Sequence, residues 1–510
     1  MFQLIDVTIT HNKDNRVLLR DFKLSLEDGD KAVIIGEEGS GKSTLLKWIV
    51  DPSLVEDYVK LDGKRQLQGE LLGYLPQELP EELREQPVLM FLNSQLSYIE
   101  AEVHILRDLI LSLGIDETLL WSEQTMGSLS GGERIKIQLL ALLLEEPSAL
   151  VLDEPTNDLD IDTLEFLEVF LLSFPGKILF ISHDETLIER VANKVIHLEH
   201  VEGKLTCRHS VASMSFDDYA RERKLHFKKQ ERKAFTDRRE KIKRDEKLRK
   251  VYDKVHRAQQ NISRKDPQGG RLLKKKMHAV KSMESRFKKE DLSMTKAPEE
   301  EQSIFFKLGH ESEPLAKSKR VLDLQVEELR SPAGRLLSKD IRLQVYGNDK
   351  MAIIGDNGTG KTTLLKLIEK ELEQNNLEVM SMPQNYLEAL NSDQSPISYV
   401  SKLGSREELS RIRTYLASLQ FTLDEMDHPM RELSGGQKGK VLLLELSLSK
   451  AQVLILDEPT RNFSPLSGEF IRGIFRDFPG AIISVSHDRK YLDEVCDTYY
   501  QLTPQGFNKL

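Results

Sequence analysis

Two glycine-rich runs carry the most specific chemistry in this chain. Gly36-Glu37-Glu38-Gly39-Ser40-Gly41-Lys42-Ser43-Thr44 follows the apolar Ala32-Val33-Ile34-Ile35 and leads into Leu45-Leu46-Lys47-Trp48-Ile49. Gly355-Asp356-Asn357-Gly358-Thr359-Gly360-Lys361-Thr362-Thr363 follows Met351-Ala352-Ile353-Ile354 in the same way. Strand, Gly-rich loop and helix in that order is the setting that a phosphate-binding P-loop needs. The glycines let backbone N–H groups close around phosphate oxygens, and the helix N-terminus adds positive potential. Lys42 and Lys361 then reach the β/γ-phosphates of a nucleotide such as ATP, and Ser43 and Thr362 are placed to hold Mg²⁺.

Each run is followed by a buried-looking strand that ends in two acids, Leu150-Val151-Leu152-Asp153-Glu154 and Leu454-Ile455-Leu456-Asp457-Glu458. Asp153 and Asp457 would orient the magnesium shell, while Glu154 and Glu458 would position or polarise an attacking water. Further on, His183 and His487 stand at the ends of Leu179-Phe180-Ile181-Ser182 and Ile483-Ser484-Val485-Ser486, where a γ-phosphate sensor is expected. Gln77, in Leu75-Pro76-Gln77, and Gln384, in Met382-Pro383-Gln384, are candidate magnesium and water contacts. Between these lie Leu129-Ser130-Gly131-Gly132-Glu133 and Leu433-Ser434-Gly435-Gly436-Gln437, each opening an apolar helix. A serine and glycine amides at a helix N-terminus make a second anion site, although the P-loop of the same half already satisfies its own phosphates. The second site is therefore expected to serve a nucleotide held by another domain.

The elements that must position these residues occur twice, displaced by roughly 300 residues, so the chain reads as a tandem repeat of one α/β domain. Its 510 residues allow two or three domains. We expect a first nucleotide-binding domain over 1–208, a linker over 209–300 and a second nucleotide-binding domain over 301–510. No apolar run approaches the ~20 residues of a membrane span, and the N-terminus reads as a strand, so a cytoplasmic protein is expected. Only Cys207 and Cys496 occur, too few for a disulfide framework, a four-cysteine zinc site or an iron–sulfur cluster.

The formal net charge is −10, yet residues 221–290 hold 27 Lys+Arg against 10 Asp+Glu. From about Ser215 to Ile262 the sequence is helical in pattern, with Phe235, Ile242, Leu248, Tyr252, Val255 and Ile262 at near-helical steps. Asp266-Pro267-Gln268-Gly269-Gly270 breaks the pattern, and Leu273, Met277, Val280 and Phe287 resume it, which predicts an antiparallel helical hairpin turning at Pro267 to Gly270. Arg264, Lys265, Arg271, Lys274, Lys275, Lys276 and Lys281 make its tip and returning arm one-sidedly positive, as phosphate neutralisation on RNA requires.

The ordered motifs, above all Leu129-Ser130-Gly131-Gly132 and Leu433-Ser434-Gly435-Gly436-Gln437, resemble the ABC ATPase family. That resemblance implies two P-loop ABC-type domains facing head to tail, Lys42 sharing an ATP with Ser434 and Gly436, and Lys361 sharing one with Ser130 and Gly132. Two such domains with a helical linker resemble the ABC-F ribosome-binding translation factors. Arg264 to Met277 and Thr460-Arg461-Asn462-Phe463-Ser464-Pro465-Leu466-Ser467 look like the ribosome-protecting, antibiotic-resistance branch. The resemblance implies a monomer with intramolecular pairing of its ATPase domains, acting on the bacterial ribosome at ribosomal RNA and the tRNA near the exit site. A housekeeping ABC-F translation factor and, in another class, an ATPase subunit of a membrane exporter are the competing readings. The segment after Glu458 lacks the acid that Asp160 supplies in the first half, so the two sites are expected to differ. No aromatic residue stands where ABC proteins stack adenine, between Val7 and Leu18 or between Leu322 and Tyr346.

Overall fold

A computed structural model of the chain describes all residues except 14, 95–97, 99–101, 202–205, 262–266, 293, 296–307, 309–314, 376, 387–389, 391, 403 and 420. Residues 1–217 together with 301–510 form one compact unit, and 218–300 form another.

Among the described residues, the first half of the larger unit contains nine strands: β1 (Phe2–His11), β2 (Val17–Leu26), β3 (Lys31–Gly36), β4 (Val59–Gln66), β5 (Leu72–Leu75), β6 (Ala149–Asp153), β7 (Lys177–Ile181), β8 (Lys194–Val201) and β9 (Thr206–Ala212). The antiparallel sheet has the order β2-β1-β4, and the main sheet has the order β5-β6-β7-β3-β8-β9, parallel except at β9. β6 and β7 are buried along their whole length, which is why Ala149-Leu150-Val151-Leu152 and Ile178-Leu179-Phe180-Ile181 are unbroken apolar runs. The second half repeats the plan with a ribbon of β10 (Arg320–Arg330) and β11 (Leu336–Tyr346), and with β12 (Lys350–Ile354), β13 (Val379–Met382), β14 (Val453–Asp457), β15 (Ala481–Val485), β16 (Thr498–Thr503) and β17 (Gly506–Lys509). Its main sheet runs β13-β14-β15-β12-β16-β17, the same order strand for strand. The boundary expected at 208 falls inside β9, whose ladder to β8 pairs Val195 with Ala212 and so ties the strand to the first sheet.

The helices that carry the site are α1 (Lys42–Val50), α2 (Gly131–Leu143), α3 (Ile161–Ser173) and α4 (Glu185–Val191) in the first half. In the second half they are α7 (Lys361–Gln374), α8 (Gly435–Leu448), α9 (Gly468–Arg476) and α10 (Arg489–Val495), after the linker helices α5 (Phe216–Gln260) and α6 (Pro267–Leu292). Leu45, Leu46 and Ile49 of α1 are fully buried against β1 to β3, and Leu364, Leu365 and Ile368 of α7 play the same part. Among the described residues no helix is long and apolar enough to cross a membrane.

The smaller unit is the paired-helix linker. α5 has 45 residues and, at about 1.5 Å rise per residue, is roughly 70 Å long. α6 returns along part of it: Lys241 pairs with Asp291 at 2.8 Å, Arg244 bonds Asp291 and lies 4.5 Å over the Phe287 ring, and Val255 and Val280 are buried. Phe235 and Ile242 are exposed, contrary to an apolar seam along the whole first arm: Ile242 stands between Lys241 and Arg244, which face α6, and the 26 residues of α6 cannot cover all 45 of α5. The expected turn is also displaced. Pro267, Gln268, Gly269 and Gly270 open α6 rather than forming the break, since proline has no N–H to lose in the first helical turn. Arg264 and Lys265 lie outside the described residues, whereas Arg271, Lys274, Lys275, Lys276 and Lys281 are all exposed. Arg271, Lys274 and Lys281 share one face by helical spacing.

Val280→Asp places a carboxylate in a strip of the hairpin where Val255 of α5 and Val280 of α6 are both buried, at a cost of about 2 kcal/mol or more. Hydrogen exchange on the full chain should show faster exchange across 267–292 with the two main sheets unchanged. Unaltered protection of α6 would show that the hairpin is not held by this strip.

Candidate functional site

The two P-loops connect β3 to α1 and β12 to α7, and each lysine is turned back over its own loop. Lys42 Nζ donates to the carbonyls of Gly36 at 2.9 Å and Glu37 at 3.1 Å, and Lys361 Nζ donates to Gly355 at 2.6 Å and Asp356 at 3.0 Å. Gly41 and Gly360, which precede these lysines, have φ of 90° and 98°, a conformation that L side chains rarely adopt. The strands ending in acids bring their carboxylates beside these loops. Ser43 Oγ donates to Asp153 Oδ1 at 3.0 Å, and Thr362 Oγ1 donates to Asp457 Oδ2 at 2.8 Å. Asp153 Oδ2 is buried with no hydrogen-bond partner. A hydroxyl and an orphaned carboxylate oxygen beside a phosphate loop suit a hard cation such as Mg²⁺. Burial pushes Asp153 up to about 6, with Ser43 opposing the shift and Glu154 adding to it; burial likewise raises Asp457.

Glu154 and Glu458 both lie in the left-handed region, with φ of 50° and 53°. Burial pushes each up to about 7. The backbone N–H of His183 donates to Glu154 Oε2 at 3.1 Å, and that of His487 approaches Glu458 Oε2 at 3.4 Å. His183 Nδ1 donates to the carbonyl of Phe463, in the opposite half, at 2.7 Å. Since a carbonyl only accepts, Nδ1 carries the proton, and Nε2, 3.2 Å from Glu154 Oε1, is left as an acceptor. Burial, aided by the Lys42 ammonium, pushes His183 down to about 4, so the ring is neutral. His487 is likewise pushed down to about 4 by burial and by Lys361, but neither ring nitrogen has a hydrogen-bond partner.

The signature segments open α2 and α8. Ser130 and Ser434 cap these helices through reciprocal bonds with Glu133 and Gln437, so each hydroxyl is first of all a structural cap. Gly131 and Gly132 pack against Asp158 and Thr163, where a Cβ would lie 2.1 Å from a backbone oxygen and 2.5 Å from a hydroxyl. Across the halves, the N–H of Gly436 donates to Glu38 Oε2, and Lys440 Nζ pairs with Glu37 at 2.7 Å. The first P-loop thus meets the second signature helix. The second P-loop meets the loop after Glu154: Asn357 Nδ2 donates to the carbonyl of Asp158 at 2.5 Å. A cavity of about 420 Å³ adjoins it, lined by Asp158, Lys361, Thr362, Gln384, Glu458 and His487 among others. Ser130, Gly131 and Gly132 do not line that cavity, and Gln77 is exposed with no described bond to Asp153 or Glu154. Beside the P-loops the surface is aliphatic, with Leu18 facing Gly41 and Leu337 facing Gly360.

Several interface residues carry no motif that would mark them in the sequence. Arg461 pairs with Asp158 at 3.1 Å, joining the two loops that follow Glu154 and Glu458. Behind them, Arg472 pairs with Glu185 at 2.6 Å, Arg489 bonds Glu168 and lies 3.5 Å from Asp184, and Lys490 bonds Glu189 and lies 3.3 Å from Glu185. Gly468 leaves the space that the Glu185 carboxylate fills, since a Cβ there would lie 1.5 Å from Oε1. The departure of 460–467 from the first half's pattern is the one signal that points to this region.

A family model described as ABC transporter matches residues 19–157 and 338–461. ATP-binding protein Uup of Escherichia coli (strain K12) is 28% identical over 93% of this chain and 76% of its own length. Putative ATP-binding protein YdiF of Bacillus subtilis (strain 168) is 28% identical over 95% and 78%. A solved structure described as a model of ribosome-bound archaeal Pelota and ABCE1 shares the fold, with a TM-score of 0.57 at 18% identity over 99% of this chain and 78% of its own.

Arg472→Leu leaves Glu185 buried with one cation fewer, which should cost about 3–5 kcal/mol in urea unfolding. The double variant Glu185→Leu with Arg472→Leu should recover most of that loss. A single variant within about 1 kcal/mol of the parent would show that the pair does not hold the halves together.

Proposed function

Because the chain belongs to the ABC transporter family, whose matched segments span the P-loop and signature of both halves, we propose that it is an ABC-F-type ATPase that acts on the ribosome through its basic hairpin. It binds and hydrolyses ATP. The observation that carries the ribosomal reading is the exposed stripe of Arg271, Lys274 and Lys281, with Lys275 and Lys276 beside it, on a linker between two such ATPase halves. Cationic side chains on one helix face suit RNA phosphates. The ribosome-bound description of the fold neighbour agrees with this reading.

At each site the P-loop amides and Lys42 or Lys361 grip the phosphates. Asp153 with Ser43, and Asp457 with Thr362, would hold Mg²⁺, with Gln384 adding a contact at the second site and Gln77 doing so at the first only by turning in from the surface. An Mg²⁺ held there would supply charge neutralisation to the phosphates. Glu154 and Glu458 orient the attacking water and accept its proton, and His183 and His487 contact the γ-phosphate, which for His183 requires a proton on Nε2, the ring nitrogen not bonded to Phe463. Ser434 to Gly436 reach the nucleotide of the first P-loop, a pairing supported by the Glu38–Gly436 and Glu37–Lys440 contacts. Ser130 to Gly132 would do the same for the second. Nucleotide binding between the halves closes them, and hydrolysis reopens them.

The finer proposal is protection of the bacterial ribosome from drugs at the peptidyl-transferase region, supported by the likeness of 264–277 and 460–467 to that branch. Co-sedimentation with salt-washed bacterial ribosomes in ATP, together with drug susceptibility of cells expressing the chain, tests both levels. Ribosome binding without altered susceptibility leaves a housekeeping translation factor. Co-purification with a membrane protein and no ribosome binding overturns the proposal.

Glu154→Gln with Glu458→Gln should slow hydrolysis about 10²-fold or more while ATP binding persists, because the loops and metal-side residues remain. The ribosome-bound form should accumulate; faster release in ATP than the parent would contradict the coupling. Neutralising Lys274, Lys275 and Lys276 should flatten the log–log salt dependence of ribosome binding by about one unit for each phosphate they neutralise. An unchanged slope would make these lysines a merely solvated face.

A further inference from the structure

The two P-loops differ where they face the opposite half. In the second, Asn357 follows Asp356 and donates to the Asp158 carbonyl; in the first, the same slot holds Glu38 after Glu37. Glu38 cannot donate. Its carboxylate instead accepts the N–H of Gly436 at the start of α8, while Glu37 pairs with Lys440 one turn further along. Gly436 offers its amide at the positive end of a helix, the position where an anion is best stabilised. The space left beside these contacts is about 30 Å³, against about 420 Å³ beside the second P-loop. Its lining includes Ser464, whose hydroxyl is buried at 8% exposure without a hydrogen-bond partner, and Gln437, whose amide nitrogen is equally unpartnered. Both are polar groups still free to bond a ligand entering there.

We propose that Glu38 sets the nucleotide affinity of the first site: its carboxylate occupies the α8 amide that a phosphate oxygen must take, so ATP enters only by displacing it. This rests on the reading that Ser434 to Gly436 face the nucleotide of the first P-loop. Carboxylate and phosphate are both anionic acceptors and cannot share one N–H. With the carboxylate swung aside but still in the site, it also repels the triphosphate. The second site, with Asn357 in that slot and its cavity open, fills first. The first site then fills at a higher ATP concentration.

The test is ATP titration of the full chain by calorimetry, in Mg²⁺, on a Lys361→Ala and Glu154→Gln background that removes the second site and stops turnover at the first. Glu38→Asn, which copies the second P-loop, should tighten ATP binding at the first site about tenfold or more. Glu38→Gln, which keeps length and removes charge, should do nearly the same. Equal or weaker binding in both variants overturns the proposal, and a gain with Asn but not Gln overturns the charge argument. The reciprocal Asn357→Glu, on a Lys42→Ala background, should weaken the second site by a similar factor, and no change there also counts against the proposal. The underlying site assignment fails separately: binding on the Lys361→Ala background that survives Lys42→Ala shows that the P-loop is not where the nucleotide sits, whatever Glu38 does.

Discussion

The meeting of Glu168, Asp184, Glu185 and Glu189 in the first half with Arg472, Arg489 and Lys490 in the second is the contact on which the paired sites depend. Arg472 and Glu168 are almost fully buried, so each charge must keep its partner. Such networks rarely add much net stability over apolar packing of the same shape, but they penalise misalignment heavily. The seam is continuous with the chemistry. Asp184 follows His183 in sequence and Arg489 follows Asp488, so a shift of one half along the other moves both histidine loops.

The same seam joins two sites that are not alike. Phe463 offers its carbonyl to His183 and fixes the tautomer that turns Nε2 toward Glu154. Leu159 holds the matching place in the first half, and His487 has no hydrogen-bond partner on its ring. Arg461, which has an asparagine, Asn157, as its counterpart, pairs with Asp158 and brings a positive charge near Glu154 and His183. Glu133 caps one signature helix where Gln437 caps the other. Each difference is small, but together they give the two sites different charge and different hydrogen bonding.

What the sequence made legible was whatever is local. The P-loops, the acid-ended strands and the capped signature helices each depend on residues within a few positions of one another, and they stand where the motifs put them. The equal order of the two main sheets follows from the repeat. The hairpin was legible as two helices but not in its detail: Pro267 reads equally as a breaker or as a first helical residue, and only the backbone decides. Phe235 and Ile242 have the spacing of a seam but remain exposed, Ile242 even where α6 runs alongside. Contacts between the halves were out of reach, because nothing in Arg472 or Phe463 identifies a partner some 280 residues away. Leu18 and Leu337 were equally silent, because a leucine in a strand reads as core whether or not it also faces a glycine of the P-loop.

Glu154 and Glu458 share a left-handed backbone, as do Asp158 and Asn462 after them. For a residue with a Cβ that conformation costs roughly 1–2 kcal/mol, and glycine would adopt it with ease. The acid is therefore kept against the grain of the fold. On the proposed roles, a copy that lost it would fold at least as well and still grip its nucleotide through the loop and lysine. Folding gives no protection to turnover here; only selection on turnover does. A duplicated chain built this way can retire one of its two engines by a single mutation and keep its shape, with the silent half persisting as a nucleotide-dependent fastener.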